Sequence, residues 1–434
     1  MTSLGDWKGR IRLLLKHPLI RTLVSLRGNP RVCVYTEPMW GVSLNMVIPY
    51  MSVFMLANGL NDIEVGTVAS IYMASQMVFA FLSGALTDKL GRKTATVAFD
   101  MLSWFVPGVV WIFAADFKIF AVAALLNGVM KVSVNSWRCL LIEDADKSQI
   151  TQIYTWIMIS CQMSALFAPV AAVLISRLTL VPAVRILLAY SVIVFLAKTL
   201  LIYSFSKETS VGIVRMRETR GQNCLSLIKG YFGVLKLMKK SRGLAFSITI
   251  ASLYAIIAMI NTTFWQVIVS KKLGVPDASL PIFTMLRSLI ALVFFFTIIS
   301  RVSQLRLKNP LLIGFASYFA GQAVLILTPQ EGTTRYVALI LSLIFDGFGA
   351  GMLGMLSESM IAINADDTER ARVIAIYEMI VMAVCAPFGW IGGILSDMSK
   401  DLPFVLNLSL IGVGVAVTII YYRAKPHYVP QADM

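Results

Sequence analysis

Cut at its proline, glycine and charge clusters, the chain falls into twelve long apolar runs: 33–57, 63–86, 94–114, 118–141, 150–174, 183–205, 243–268, 280–300, 310–327, 336–361, 373–397 and 402–422. A helix of about 20 apolar residues spans the hydrocarbon core of a bilayer. Charged residues make up only 14% of the chain and hydrophobic ones 58%. Soluble domains carry about 25% charged residues, so a water-soluble fold has too little polar surface to cover this sequence. The expectation is an all-α polytopic membrane protein.

The net charge of +15 invites a nucleic-acid reading. The distribution argues against it. With the N-terminus placed in the cytoplasm, 27 Lys and Arg residues fall on the cytoplasmic side and 7 in the outer loops. Such a bias orients membrane proteins. It accounts for the charge without DNA or RNA. The basic segment 1–32 alternates cations with apolar residues and can lie on the membrane surface as an interfacial helix broken near Pro18, or form a basic tail. Its repeated Lys and Arg residues leave no apolar core for a cleavable signal peptide.

Cys33, Cys139, Cys161, Cys224 and Cys385 form no CxxC pair, and all fall in helices or on the cytoplasmic side, where disulfides are not expected. His17 and His427, the two histidines, lie in the terminal segments. A histidine-based metal site or catalytic triad within the membrane is therefore not expected, and neither is an enzyme or any bound cofactor.

The connection 206–242 carries nine cations and divides six runs from six. The halves echo each other. "APVAAVLIS" from Ala168 and "APFGWIGGILS" from Ala386 are offset by 218 residues, and "NGV" at Asn127 and "DGF" at Asp346 by 219. A shared offset near half the chain length points to duplication. The expected organisation is a basic segment 1–32, a bundle 33–205, a cytoplasmic linker 206–242, a second bundle 243–422 and a tail 423–434.

Between the second and third runs stands "GALTDKLGRKTA", residues 84–95. Gly84 and Gly91 allow close helix contact and a tight turn. Arg92 and Lys93 can pair with Glu143 or Asp144 at the end of the fourth helix. A phosphate-binding loop is excluded, because the glycine spacing is wrong and a membrane helix precedes it. The stretch resembles the signature of the major facilitator superfamily, G-x-L-A-D-R-x-G-R-K, at Gly84, Leu86, Asp88, Gly91, Arg92 and Lys93, with departures at Thr87 and Lys89. The resemblance implies twelve helices in two pseudo-symmetric six-helix bundles. It also implies a cytoplasmic gate in which Asp88 accepts hydrogen bonds from a helix N-terminus of the other half. The equivalent turn of the second half, "RVSQLRLKNP", lacks the glycines and the acid. The antiporter signature of the fifth helix survives only as Pro169 in "APVAAV".

A charge at mid-bilayer is costly and faces a cavity or a partner. Lys131, Arg287 and Asp346 lie well inside their runs, on the fourth, eighth and tenth helices, which by the same resemblance line a central cavity. Asn127, Lys131, Asn135 and Arg138 fall on one helical stripe, as do Glu37, Gly41, Asn45 and Ser52. Lys131 and Arg287 are expected to face an anionic or zwitterionic solute, Asp346 to balance one cation, and Asp346 or Glu37 to carry a proton. An ion-pair network between helices is the competing reading of the three charges. Trp40, Tyr50, Gln162, Asn261 and Trp265 are placed at the pocket by depth, beside Asn45 and Asn127 of the two stripes. Glu37, Arg138, Glu358 and Glu378 lie nearer the cytoplasmic face, as gate or turn residues; Asp100 and Lys198 are expected to be structural.

These features point to a monomeric secondary transporter in the plasma (inner) membrane. It would move a small anionic or amphiphilic solute by alternating access, with lipids around it and protons as the candidate coupling ion. No nucleotide-binding motif is present in the sequence. The alternatives are a drug or lipid exporter of the same fold, or a membrane sensor or scaffold.

Overall fold

The computed structural model describes residues 18–146, 149–222, 241–297, 307–364 and 370–423. His17, His427, Cys224, both chain ends and residues 223–240 of the central linker lie outside them. Among the described residues there are helices and no strands. Twelve helices are long and apolar enough to cross a membrane: α1 (Gly28–Ala57), α2 (Asp62–Leu90), α3 (Arg92–Ile112), α4 (Phe117–Ile142), α5 (Gln152–Leu178), α6 (Leu180–Phe205), α7 (Arg242–Lys272), α8 (Asp277–Phe294), α9 (Lys308–Ile326), α10 (Thr334–Ile361), α11 (Ile376–Met398) and α12 (Leu402–Arg423). They form two six-helix bundles. The end where α1 begins and α12 finishes is termed here the linker end; the opposite one is the far end.

Local chemistry sets the helix limits. Asn61 and Glu64 form a reciprocal capping box at the start of α2: Glu64 N–H donates to Asn61 Oδ1 at 2.9 Å, and Asn61 N–H to Glu64 Oε2 at 3.0 Å. This satisfies two of the N–H groups that a helix start leaves without partners. Asp116 caps α4 through Ile119 N–H at 3.0 Å. Gly91, with φ of +83°, turns α2 into α3 with almost no loop. The observed α1 starts at Gly28 rather than near residue 33 because a side chain anchors it. Asn29 donates to Lys207 O at 2.9 Å and accepts from Lys207 N–H at 2.8 Å. Prolines mark local breaks: Pro49 sits in a 3₁₀ turn of α1, and Pro169 follows one in α5. Pro18 begins a short helix, Pro18–Ser25. Just beyond it Leu26 packs with Cys33, Leu140, Leu141, Ile153 and Ile202 at the linker end.

The bundles meet along α2 against α11 and α5 against α8. At the far end the first pair touches backbone to backbone. A side chain at Gly389 would meet Ser70 Oγ at 2.6 Å and Gly66 O at 2.7 Å; one at Gly393 would meet Asp62 O at 2.7 Å. Trp390 N–H donates to Ser70 Oγ at 2.7 Å. Lys400 forms an ion pair with the buried Asp62 across the same seam. The last turns of α5 pack on Asp277–Ser279, just ahead of α8. The far end is therefore closed.

Glycine at the α2–α11 crossing is a steric requirement, so Gly389→Leu should wedge the far end open. Spin labels at the exposed far-end positions Phe113 and Leu327, one in each bundle, should read a longer distance in the variant. The closed state should lose about 1–3 kcal/mol, the usual cost of overpacking. An unchanged distance distribution would contradict this view of the crossing.

Candidate functional site

Asp346 sits in the middle of α10 and is 1% exposed. A carboxylate buried this deeply requires donors. Gln322 of α9 supplies two contacts, Nε2 to Oδ1 at 2.9 Å and to Oδ2 at 3.0 Å. Asn261 of α7 donates to Oδ2 at 3.1 Å, and its amide nitrogen lies 3.4 Å from Tyr318 Oη. Asn407 of α12 donates to Gln322 Oε1 at 3.2 Å, which fixes the orientation of that amide. Small residues make room: a side chain at Gly321 would meet Asp346 Oδ1 at 2.5 Å, and one at Gly349 would meet Tyr318 N at 2.7 Å. Gly321 of α9 and Gly349 of α10 thus let the two helices come close enough for Gln322 to reach Asp346.

Arg287 of α8 opens on the same space. Its guanidinium lies 5.3 Å from the centroid of the Trp265 ring, in cation–π range. Its Nη2 is buried without a hydrogen-bond partner, and among the described residues Arg287 has no ion pair within 4.0 Å. Both groups border a cavity of about 310 Å³, lined also by Gln162 from α5, Tyr254, Asn261 and Thr262 from α7, Ser288 from α8 and Tyr318. The second bundle supplies nearly all of this wall; Gln162 is the contribution of the first.

Other expected residues lie elsewhere. Lys131 does not balance Asp346; its Nζ lies 3.3 Å from Glu378 of α11, with Arg138 3.8 Å from the same carboxylate. These pairs link the two bundles. Glu37 faces Lys198 at 3.8 Å, and the Lys198 ammonium also lies over Trp40 and Trp137 at 5.7 and 5.8 Å. Trp40 packs edge-on against Trp104 of α3 rather than on the cavity. Asn45 donates to Gly41 O on its own helix, and Asn127 to Ser103 O on α3. Asn135 bonds Thr87 Oγ1 at 3.3 Å, so the α4 stripe is divided among partners. Trp265 is 2% exposed and supports Arg287 from behind. Tyr50 is wholly buried in the core. Glu358 lies outside the described side chains.

At the linker end the signature stretch forms an ionic cluster. Arg92 reaches Asp88 at 2.8 Å and Glu143 at 3.0 Å. Lys93 lies over the Tyr203 ring at 4.9 Å. Asp144 accepts from Ser210 Oγ at 2.7 Å, at the start of a linker helix, Ser210–Glu218. Glu208 caps α3, accepting from Arg92 N–H at 2.7 Å and Lys93 N–H at 3.0 Å. A side chain at Gly91 would meet Glu208 Oε2 at 2.6 Å, which makes glycine doubly required there. Gly84 sits one turn before Asp88 on α2. The described partner of the Asp88 carboxylate is Arg92, within the same bundle, and the Asp88 main-chain oxygen accepts from Thr219 Oγ1 of the linker at 3.3 Å.

Twelve spanning helices in two bundles around a charged cavity are the architecture of a solute transporter. The chain belongs to the Major Facilitator Superfamily, whose sequence profile matches residues 40–386. Solved structures share its fold. A nucleoside transporter, NupG, superposes with a TM-score of 0.70 at 13% identity, over 92% of this chain and 99% of that one. The xylose transporter XylE from E. coli, in an inward open conformation, gives 0.67 at 12% identity over 93% and 97%. A peptide transporter, POT, in complex with sulfate gives 0.66 at 14% identity over 91% and 94%. No curated protein matches the chain by sequence. The protein is an integral multi-pass membrane transporter, not an enzyme.

The amide cage makes a stability prediction. Gln322→Leu removes the two contacts to Asp346 and should destabilise the protein by about 1.5–3 kcal/mol, the range for hydrogen bonds to a charge. Adding Asp346→Asn should recover part of the loss, because no charge is then left short of donors. Thermal unfolding of the single and double variants tests this. Strictly additive losses would rule out the coupling.

Proposed function

We propose that this protein is a secondary active transporter that binds a small solute through an anionic group at Arg287 and moves it by alternating access. The observation that carries this reading is the buried, unpartnered Nη2 of Arg287, facing the same cavity as the caged Asp346. A guanidinium offers a carboxylate or phosphate two parallel hydrogen bonds in a fixed plane. Trp265 holds that plane from behind. Asp346 is the proposed proton carrier: protonation removes its charge from the cavity, and the amides of Gln322 and Asn261 can serve either form.

The moving bodies are residues 33–205 and 243–422, joined by 206–242. The far-end seam and the Lys131–Glu378 contact would part in turn. The cluster around Asp88, Arg92 and Glu143 is the linker-end gate. Both chain ends and the linker lie in the cytoplasm, in keeping with the bias of cations, and the chain acts as a monomer in the plasma (inner) membrane.

Two experiments test this. Arg287→Lys keeps the charge but loses the planar grip. Affinity for the transported anion should fall about ten- to hundredfold, the equivalent of one or two charge-assisted hydrogen bonds, while the unfolding temperature stays near that of the parent. A screen of organic anions by thermal stabilisation identifies the ligand first. Normal binding by Arg287→Lys would overturn the grip. Separately, Asp346→Asn should abolish proton-driven accumulation and spare downhill exchange in proteoliposomes. Retained accumulation would remove Asp346 as the carrier.

A further inference from the structure

A second cavity of about 420 Å³ lies on the other side of α7. It is walled by α1, α2, α3, α4 and α7, so the first bundle builds most of it. Four methionines (Met51, Met55, Met73 and Met259) and two tryptophans, Trp104 and Trp111, dominate the lining. No Asp, Glu, Lys, Arg or His lines it among the described residues. Methionine is unbranched and polarisable, so such a wall adapts to apolar bodies of different shape. The tryptophans offer flat apolar area.

The two cavities share wall residues. Ala258 and Thr262, one turn apart on α7, border both. Most of α7 is buried, yet Thr262 is exposed and Ala258 half-buried. The Thr262 hydroxyl donates to Ala258 O at 2.8 Å, which turns its polar atom toward its own helix. Ala258 and Thr262 therefore form an apolar threshold between the charged cavity and the methionine chamber. Ligand sites are mostly apolar clefts with a few placed polar groups. Here the two qualities occupy adjoining compartments, one from each bundle.

Resting on the anion grip at Arg287, we infer that the substrate is an amphiphilic organic anion: its acidic group meets Arg287, and its apolar or aromatic body crosses Ala258 and Thr262 into the chamber of Met51, Met55, Met73 and Met259. A solute held in this way bridges the two bundles, so its binding energy acts on the contact between them.

The test uses the full-length protein in lipid nanodiscs and three aromatic sulfonates of growing body: benzenesulfonate, naphthalenesulfonate and pyrenesulfonate. Binding is measured by calorimetry against empty discs, with neutral pyrenemethanol as the control for lipid partition. In the parent protein affinity should rise at least about tenfold from the smallest to the largest sulfonate, since each added apolar carbon gains free energy on burial. Thr262→Leu raises the threshold: the ratio of pyrenesulfonate to benzenesulfonate affinity, read within the variant, should fall to about one. Ala258→Leu places the same obstruction one turn away and serves if Thr262→Leu folds poorly. Arg287→Gln should weaken all three sulfonates by a similar factor and leave pyrenemethanol unchanged. A sulfonate that needs Arg287 but gains nothing from a larger body overturns the apolar compartment and leaves the grip standing. A size-dependent gain that survives both threshold variants overturns it as well. If benzenesulfonate ignores Arg287→Gln, the grip itself falls.

Discussion

Hydrocarbon offers no partner to a buried charge, and this constraint explains how the interior of the molecule is arranged. Every ionisable group carried into the bundles must find its counterpart in the protein. Arg92 takes Asp88 and Glu143. Lys131 takes Glu378, Lys198 takes Glu37 and Lys272 takes Asp401. Among the described residues Asp346 has no cation within ion-pair distance and is caged by amides instead. Arg287 has no carboxylate within 4.0 Å among the described residues, and its Nη2 is buried without a hydrogen bond.

Much of this was legible before any coordinates. Twelve runs, a cationic divide near the middle and the stretch from Gly84 to Lys93 led to the fold and the family, because hydrophobic length and motif spacing are local properties. Arg287, Asp346, Gln162 and Asn261 were found by depth and charge, and the structure brings those four to one cavity. What stayed hidden depends on helix rotation. Lys131 lies at the expected depth, but it points across to α11. Trp40 and Glu37 turn toward α3 and α6 instead of the centre. Gln322 was missed because it sits on a helix with no charge at mid-depth, and nothing in its neighbours signals a buried carboxylate one helix away. Glu208 was missed for another reason. An acid in a basic linker reads as solvated, whereas here it caps the start of α3.

The two bundles, though built alike, divide the work. In the first, the buried ions pair among themselves or with residues of α11 and the turn after it, and its share of the interior is a chamber lined mostly by apolar side chains. In the second, amides and an arginine gather at one depth. By the internal offset of 219 residues Asp346 and Gln322 match Asn127 and Ser103, which also bond each other but carry no charge. The symmetry is one of backbone, while the chemistry is one-sided.

The glycine seam between α2 and α11 has a further consequence for how such a protein changes over generations. Gly66, Gly389 and Gly393 meet through main-chain atoms. Main chain is common to all residues, so the closing contact does not depend on which side chains line the interior. Substitutions at the cavity can therefore alter the cargo without disturbing closure. Selection can explore new substrates along one set of positions while the machinery of movement is conserved along another, and a lineage can change what it carries without relearning how to move.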